Sequence, residues 1–200
     1  MKQLLTTGLA ALVALTIVAC GGGDADTGGA PATAEPAPAA APAAQPAGGE
    51  LSMPDWMSVD ADAQTVTIEI VAGLTADNNR WNFNGFASGN GNIVVPAGYT
   101  VTINFRNDDP VTFHSLAVLD GAGSWPVTFD GVSPTFDGAV TSNPTSMTDA
   151  TAPNGGAETI TFTASDAGEY SLVCVIPAHA ATGMWMGFTV SAAGEAGLGS

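Results

Sequence analysis

The chain has 200 residues, with 19 acidic and 3 basic side chains and a formal net charge of −16 at pH 7. That balance argues against nucleic acid as a ligand, because phosphates need a basic surface. It suits a basic protein partner, since opposite potentials speed encounter; simple solubility, or adaptation to salty surroundings, explains it equally well.

Residues 1–19 read as an export signal. Lys2 is the charged start, an apolar run extends from Leu9 to Val18, and Ile17-Val18-Ala19-Cys20 closes it. This ending matches a bacterial lipoprotein signal in which Cys20 becomes the lipidated first residue. The run is too short for an ordinary membrane span. An uncleaved anchor helix, or a standard signal with a chance cysteine, are the alternatives. In each case the folded part lies outside the cytoplasm. The expectation is an exported protein, lipid-anchored to a bacterial membrane and facing the periplasm or cell exterior.

Residues 20–50 carry that cysteine and an Ala/Pro/Gly-rich linker with almost nothing large and apolar. Such a segment cannot bury enough surface to fold and is expected to be disordered. As a coil it spans roughly 30 Å, enough to let a tethered domain swing. The folded domain is then residues 51–200, the usual size for one domain.

Within that domain the pattern is β. Val66-Thr67-Ile68-Glu69-Ile70, Val101–Phe105, Thr159–Thr163 and Trp185–Val190 alternate apolar and polar residues with period two. Trp81–Phe86, Asn92–Val95, Phe113–Leu119 and Glu169–Cys174 are further strand candidates. Pro96-Ala97-Gly98 and Asp166-Ala167-Gly168 mark turns between them. No segment has a convincing helical period. About eight short strands predict an all-β, antiparallel β-sandwich, with an open β-barrel as the alternative. The stretch 120–157, rich in Pro, Gly, Asp, Ser and Thr, breaks the rhythm. It reads as a surface insertion pinned by Trp125 and Phe129, although loops of this length are often functional.

The chemistry-bearing residues cluster late in the chain. Cys174, His179 and Met184 follow one another at intervals of five, on what reads as one loop between two strands. A second histidine, His114, lies in a separate predicted strand. The chain has only two histidines and two cysteines. With Cys20 lipidated, Cys174 has no disulfide partner, and a lone thiol in an oxidising compartment calls for burial or a metal. Tyr170, Leu172 and Cys174 share a strand face, so the thiol should point into the core. Pro177 stiffens the loop and Gly183 permits a tight bend before Met184.

Two imidazoles, a thiolate and a thioether form a blue-copper ligand set. Zinc more often takes several thiolates, or His with carboxylate. A dinuclear copper centre needs a second cysteine in this loop, and multicopper enzymes need further histidines. Taken singly, each residue has a blander explanation: an exposed loop histidine at 179, a satisfied core histidine at 114, a buried structural Cys174, a packing methionine at 184.

The chain resembles the cupredoxins, and most closely the sulfocyanin-like blue copper proteins. The matching pieces are Phe83-Asn84-Gly85, Val95-Pro96-Ala97-Gly98, His114-Ser115-Leu116, Gly168-Glu169-Tyr170 and Cys174-Val175-Ile176-Pro177-Ala178-His179-Ala180-Ala181-Thr182-Gly183-Met184-Trp185. The resemblance implies a Greek-key sandwich holding one type 1 copper ion that cycles between Cu(I) and Cu(II). His114, Cys174 and His179 would be the equatorial ligands and Met184 the axial one, with Asn84 and Ser115 behind them. Ser115 stands where many cupredoxins carry an Asn that braces the Cys loop. The implied role is a monomeric carrier that shuttles single electrons in a respiratory or photosynthetic chain. Its partners would be redox proteins such as a cytochrome, a terminal oxidase or a quinol-oxidising complex. Archaeal sulfocyanins usually have a membrane helix as their tether; here a lipobox takes its place.

The loop around His179 is apolar: Val175, Ile176, Pro177, Ala178, Ala180 and Ala181. The expectation is that His179 presents a ring edge within this patch, where a redox partner docks briefly over a small area. A copper-buffering or copper-chaperone lipoprotein, or an accessory domain of a copper enzyme, would use similar ligands for another end.

Overall fold

The computed structural model describes residues 50–200. The export signal, Cys20 and the linker up to residue 49 lie outside the described residues. Strands β1 (Met57–Asp60), β2 (Thr65–Ala72), β4 (Thr100–Asn107) and β6 (Gly156–Thr163) form one sheet in the order β1-β2-β4-β6. The second sheet has the order β5-β7-β8-β3-β9. It comprises β3 (Asn92–Pro96), β5 (Ala117–Asp120), β7 (Gly168–Val173), β8 (Trp185–Ser191) and β9 (Gly197–Gly199). The chain crosses between sheets at each connection from β2 through β7, which gives the expected Greek-key sandwich. Each sheet contains one parallel pair, β2–β4 and β3–β8, among antiparallel ones.

The period-two alternation is what builds the core. From the first sheet, Val66, Ile68, Ile70, Val101, Ile103, Phe105, Ile160 and Phe162 face inward. They meet Ile93, Val95, Val118, Leu172, Met186, Phe188 and Val190 of the second. Ile68, Ile70, Ile103, Leu172 and Phe188 are wholly buried.

Some strand expectations needed correction. Trp81–Phe86 is not a strand; Phe83 makes only isolated bridges, to Ala72 and Phe86. Its left-handed Asn84 and Gly85 turn the chain back on itself. Phe113–Leu119 becomes a strand only from Ala117; His114 sits before it, in an isolated bridge with Thr151. The strands β1 and β9 were not foreseen, because each is too short for alternation to register. One more strand follows Trp185–Ser191, since β9 pairs with β3 on its far side.

The insertion is more than surface decoration. Trp125, Phe129, Val132 and Val140 cover a second apolar cluster of Ala117, Leu119, Val173, Val175 and Ala180, on the outward face of the β5–β7 end. Phe136 reaches the main core and stacks on Phe162 with centroids 5.5 Å apart. The insertion thus packs on both sides of β7, the strand that leads into Cys174.

Ile103→Ala, at the centre of the first sheet's inner face, should lower the unfolding free energy by about 2–5 kcal/mol, as large-to-small core changes do. Denaturant titration of the folded domain measures it.

Candidate metal centre

Cys174 and Met184 face each other across a hairpin. Val173 pairs with Trp185 in the last step of the β7–β8 ladder. The Cys174 N–H then donates to the Met184 carbonyl at 3.1 Å, which carries the ladder one residue further. Residues directly opposite in an antiparallel pair project to one face with Cβ atoms roughly 4.5–5.5 Å apart. Here that face is the core, where both side chains are fully buried.

The loop between them is closed by its own backbone. After His179 a short 3₁₀ turn, Ala180–Thr182, ends at Gly183 with φ +104°. The Met184 N–H donates to the His179 carbonyl (2.9 Å) and the Gly183 N–H to the Ala180 carbonyl (2.9 Å). This is the paired closure of a Schellman motif, which requires a left-handed residue, usually Gly, at the bend. The interval from His179 to Met184 is the length that this closure demands. Ala178 is also left-handed (φ +72°), and its N–H is held by the Val127 carbonyl of the insertion at 2.7 Å.

His114 arrives from the other side. Its backbone exchanges both hydrogen bonds with Thr151 of the insertion, at 3.2 and 3.1 Å. Asn107 donates its amide to the Thr151 carbonyl (2.9 Å) and to the Thr112 carbonyl (2.9 Å). These bonds bring the three strongest donors together. His114 Nδ1 lies 3.2 Å from His179 Nδ1, and Cys174 Sγ lies 3.4 Å from His179 Nδ1 and 3.9 Å from His114 Nδ1. The point equidistant from a triangle with those sides is about 2.0 Å from each atom, close to first-row metal–nitrogen and metal–sulfur lengths of roughly 2.0–2.3 Å. All three residues are buried, with His179 the most accessible at 3%. The set of two imidazoles, one thiol and an adjoining thioether fits a single copper ion.

The electrostatics prepare the donors. Burial, helped by the neighbouring His114 ring, holds the His179 imidazole down to about 3. Burial lowers His114 as well, against the opposing pull of Asp109. Both rings are therefore neutral at pH 7, with lone pairs to offer. Burial pushes the Cys174 thiol up to about 11, although amides of Ser115 and Ile176 favour its thiolate.

Two neighbours that the sequence did not flag complete the site. Asp109, only 2% exposed, places Oδ2 3.3 Å from His114 Nε2. Burial alone would raise its carboxyl. The N–H groups of Val111 and Thr112, bonded to Oδ1 at 2.8 and 2.9 Å, together with His114, outweigh that and lower it. The carboxylate accepts the Nε2–H and so leaves Nδ1 of His114 as the bare nitrogen facing the other donors. Trp81 stacks on His179 with ring centroids 4.0 Å apart and 20° between planes. Spacing alone gave no signal for either, because both come from loops far along the chain from the Cys-His-Met run.

Ser115 braces the cysteine. Its hydroxyl accepts the Val175 N–H (3.1 Å), and its own N–H points to Cys174 Sγ (3.4 Å). Asn84 does not stand behind the metal point. Its amide bonds Val71 N–H (2.7 Å) and the Glu69 carbonyl (2.9 Å), fastening the Phe83–Phe86 turn to β2. The apolar patch around His179 is also not as expected. Val175 and Ala180 are sealed beneath Trp125 and Phe129, and Ile176 lies in the main core. Of that set Pro177 and Ala178 are partly exposed and Ala181 is exposed. The alternation that sends Cys174 inward sends Val175 outward, and the insertion covers that side.

A β-sandwich with one buried Cys/His/His/Met cluster at the end of a hairpin defines the cupredoxin class. Residues 54–196 match the family model described as the Sulfocyanin (SoxE) domain. The chain belongs to the sulfocyanin family of cupredoxins. It is 37% identical over 127 residues to a sulfocyanin from Sulfolobus acidocaldarius, a match covering 61% of each chain. Solved structures similar to it include rusticyanin from Thiobacillus ferrooxidans, 25% identical over 68% of this chain and 87% of that one, with a TM-score of 0.44. Another is auracyanin from Roseiflexus castenholzii, 29% identical over 62% of this chain and 96% of that one, with a TM-score of 0.42.

Two outcomes follow from this geometry. Asp109→Asn removes a negative charge behind His114 that favours the higher oxidation state. It should raise the reduction potential of the copper-loaded protein by on the order of 59 mV, a tenfold change for one electron; protein-film voltammetry measures the shift. Metal uptake must also displace the Cys174 proton, since the thiol stays protonated up to about 11 while His179 is neutral above about 3. Copper affinity should therefore rise about tenfold per pH unit between roughly pH 7 and 9, where both imidazoles are already neutral. Chelator competition across that range gives the slope.

Proposed function

We propose that this protein is a membrane-tethered type 1 copper protein that shuttles single electrons between redox partners outside the cytoplasm. The observation that carries the reading is the buried triangle of His114 Nδ1, Cys174 Sγ and His179 Nδ1, with sides of 3.2–3.9 Å. In this reading those three atoms and the Met184 thioether would hold the copper. Copper held there supplies a one-electron Cu(I)/Cu(II) couple. The protein supplies a site whose donors are fixed by two independent backbone frames, the Schellman closure on one side and the His114–Thr151 bridge on the other. Ligands fixed in this way move little when the charge of the site changes.

Four protein donors leave no open position for a substrate, whereas catalytic metal sites keep one. This supports a carrier rather than an enzyme. It also disfavours a copper chaperone, because donors with 0–3% exposure are poorly placed to hand an ion over. The tether rests on the sequence alone: the lipobox at Cys20 and the linker after it. The acidic charge suits a basic redox partner, and the domain is proposed to act as a monomer.

The test is to add Cu(II) to the soluble domain and record visible and EPR spectra. An intense blue thiolate charge-transfer band with narrow copper hyperfine splitting is expected, and Cys174→Ser should abolish it. A colourless Cu(II) complex would defeat the reading.

A further inference from the structure

His179 is 3% exposed, so the imidazole that the sequence marks as the electrical contact does not itself reach the surface. Trp81 lies flat against it, 4.0 Å between centroids, and the indole is partly exposed. Among the described contacts, this is the one aromatic stack between a ligand ring and a residue open to solvent.

The segment that presents Trp81 is strained. Asn78, Asn79 and Arg80 have φ of +48°, +56° and +64°, three successive non-glycine residues in the left-handed region. Such residues are uncommon singly and persist only where surrounding bonds force them. Those bonds are present. The Asn78 carbonyl accepts the Trp81 N–H at 2.9 Å, and Asn78 Nδ2 donates to the Trp81 carbonyl at 2.7 Å. Arg80 Nη1 donates to the Gly73 carbonyl at 3.0 Å. Fully buried Asn82 donates to the Thr75 and Asp77 carbonyls at 3.0 and 2.9 Å. The turn also presses on the ligand loop: a Cβ at Gly183 would lie 2.4 Å from Ser88 Oγ and 3.4 Å from Asn78 Nδ2. The outcome of this strain is a fixed position for one indole over one imidazole.

Resting on the electron-carrier reading, we propose that Trp81, stacked on His179, is the group through which electrons enter and leave, and that a positively charged redox protein docks its apolar patch there. One electron passes from the site by way of the imidazole and across the indole to a one-electron acceptor. The site is oxidised and the acceptor reduced; no bond forms or breaks and no proton moves. Partly exposed Pro177 and Ala178, with Val127 at 62% exposure against the Ala178 amide, extend the contact beyond the indole. A cationic partner suits the 19 acidic and 3 basic side chains of this chain.

The probe is tris(phenanthroline)cobalt(III), an apolar cationic one-electron oxidant, mixed with the reduced copper-loaded protein in a stopped-flow spectrometer. Because aromatic anchors dominate small contacts, Trp81→Leu should slow the reaction about tenfold or more, while Trp81→Phe stays within about threefold. Met53→Ala, an exposed apolar change beside the β9 edge, should leave the rate unchanged. Reduction potential and EPR spectrum should stay as in the wild type for all three. An unchanged or faster rate in Trp81→Leu, with copper retained, would overturn the proposal, since uncovered His179 would then be the exit. So would a rate loss accounted for by a shifted potential, which marks a purely structural residue. A second measurement needs no variant at the contact. The redox-inert chromium(III) analogue should broaden the Trp81 indole N–H and the Ala178 amide first in NMR spectra of the Cu(I) protein, and broadening centred elsewhere contradicts the docking site. A protein that never turns blue fails earlier, at the carrier reading, and leaves a distinct signature.

Discussion

Two imidazole nitrogens and a sulfur, all cut off from water, are held within 3.2–3.9 Å of one another, and the fold is arranged around that constraint. Three lone-pair-bearing atoms at that spacing have no low-energy arrangement among themselves beyond one or two shared protons. A cation satisfies all three at once. Burial then sharpens the demand, since it disfavours protonated imidazole and ionised thiol alike. The site is therefore poor at holding protons on its rings and well matched to a metal. Its stability without one must come from the packed sandwich beneath.

That dependence explains why so much of the structure serves a few atoms. The hairpin sets Cys174 against Met184, and the Schellman closure sets His179 at a fixed interval before Met184. The insertion supplies Thr151, whose backbone fixes His114, and Val127, whose carbonyl fixes Ala178. Asp109 fixes the tautomer of His114, and Gly73 makes room for it. A Cβ on Gly73 would lie 2.9 Å from the Asp109 backbone nitrogen, and φ there is +73°. The braces come from three parts of the chain: the Cys174–Met184 hairpin, the insertion, and the Asp109 segment packed on Gly73.

The ligands were legible in the sequence because they are rare residue types at a fixed spacing. The core was legible because alternation in Val66–Ile70, Val101–Phe105 and Thr159–Thr163 survives directly as inward and outward faces. What was not legible depends on where loops go in three dimensions. Asp109 and Trp81 have no spacing relation to Cys174 or His179. Asn84 resembled a site residue by motif, yet its side chain fastens a turn to β2. Val175 and Ala180 looked like part of an exposed apolar patch only because the covering residues, Trp125 and Phe129, lie some fifty residues upstream in an irregular segment. Composition shows that a segment lacks strands, but not which surface it covers.

The covered patch also changes how electron entry must be understood. A ligand histidine in an open apolar surface lets a partner approach the ring edge itself. Here the ring is roofed by an indole on one face, and Val175, Ile176 and Ala180 of its loop are buried. A roof costs directness, yet it excludes water from the site and keeps the effective dielectric low, which helps keep His179 neutral. An aromatic residue can serve both ends: its apolar body shuts out solvent, and its π-face stacks in register with the imidazole. A Leu in that place would exclude water as well but would break the stack. This separates the electronic role of Trp81 from its role as a cover.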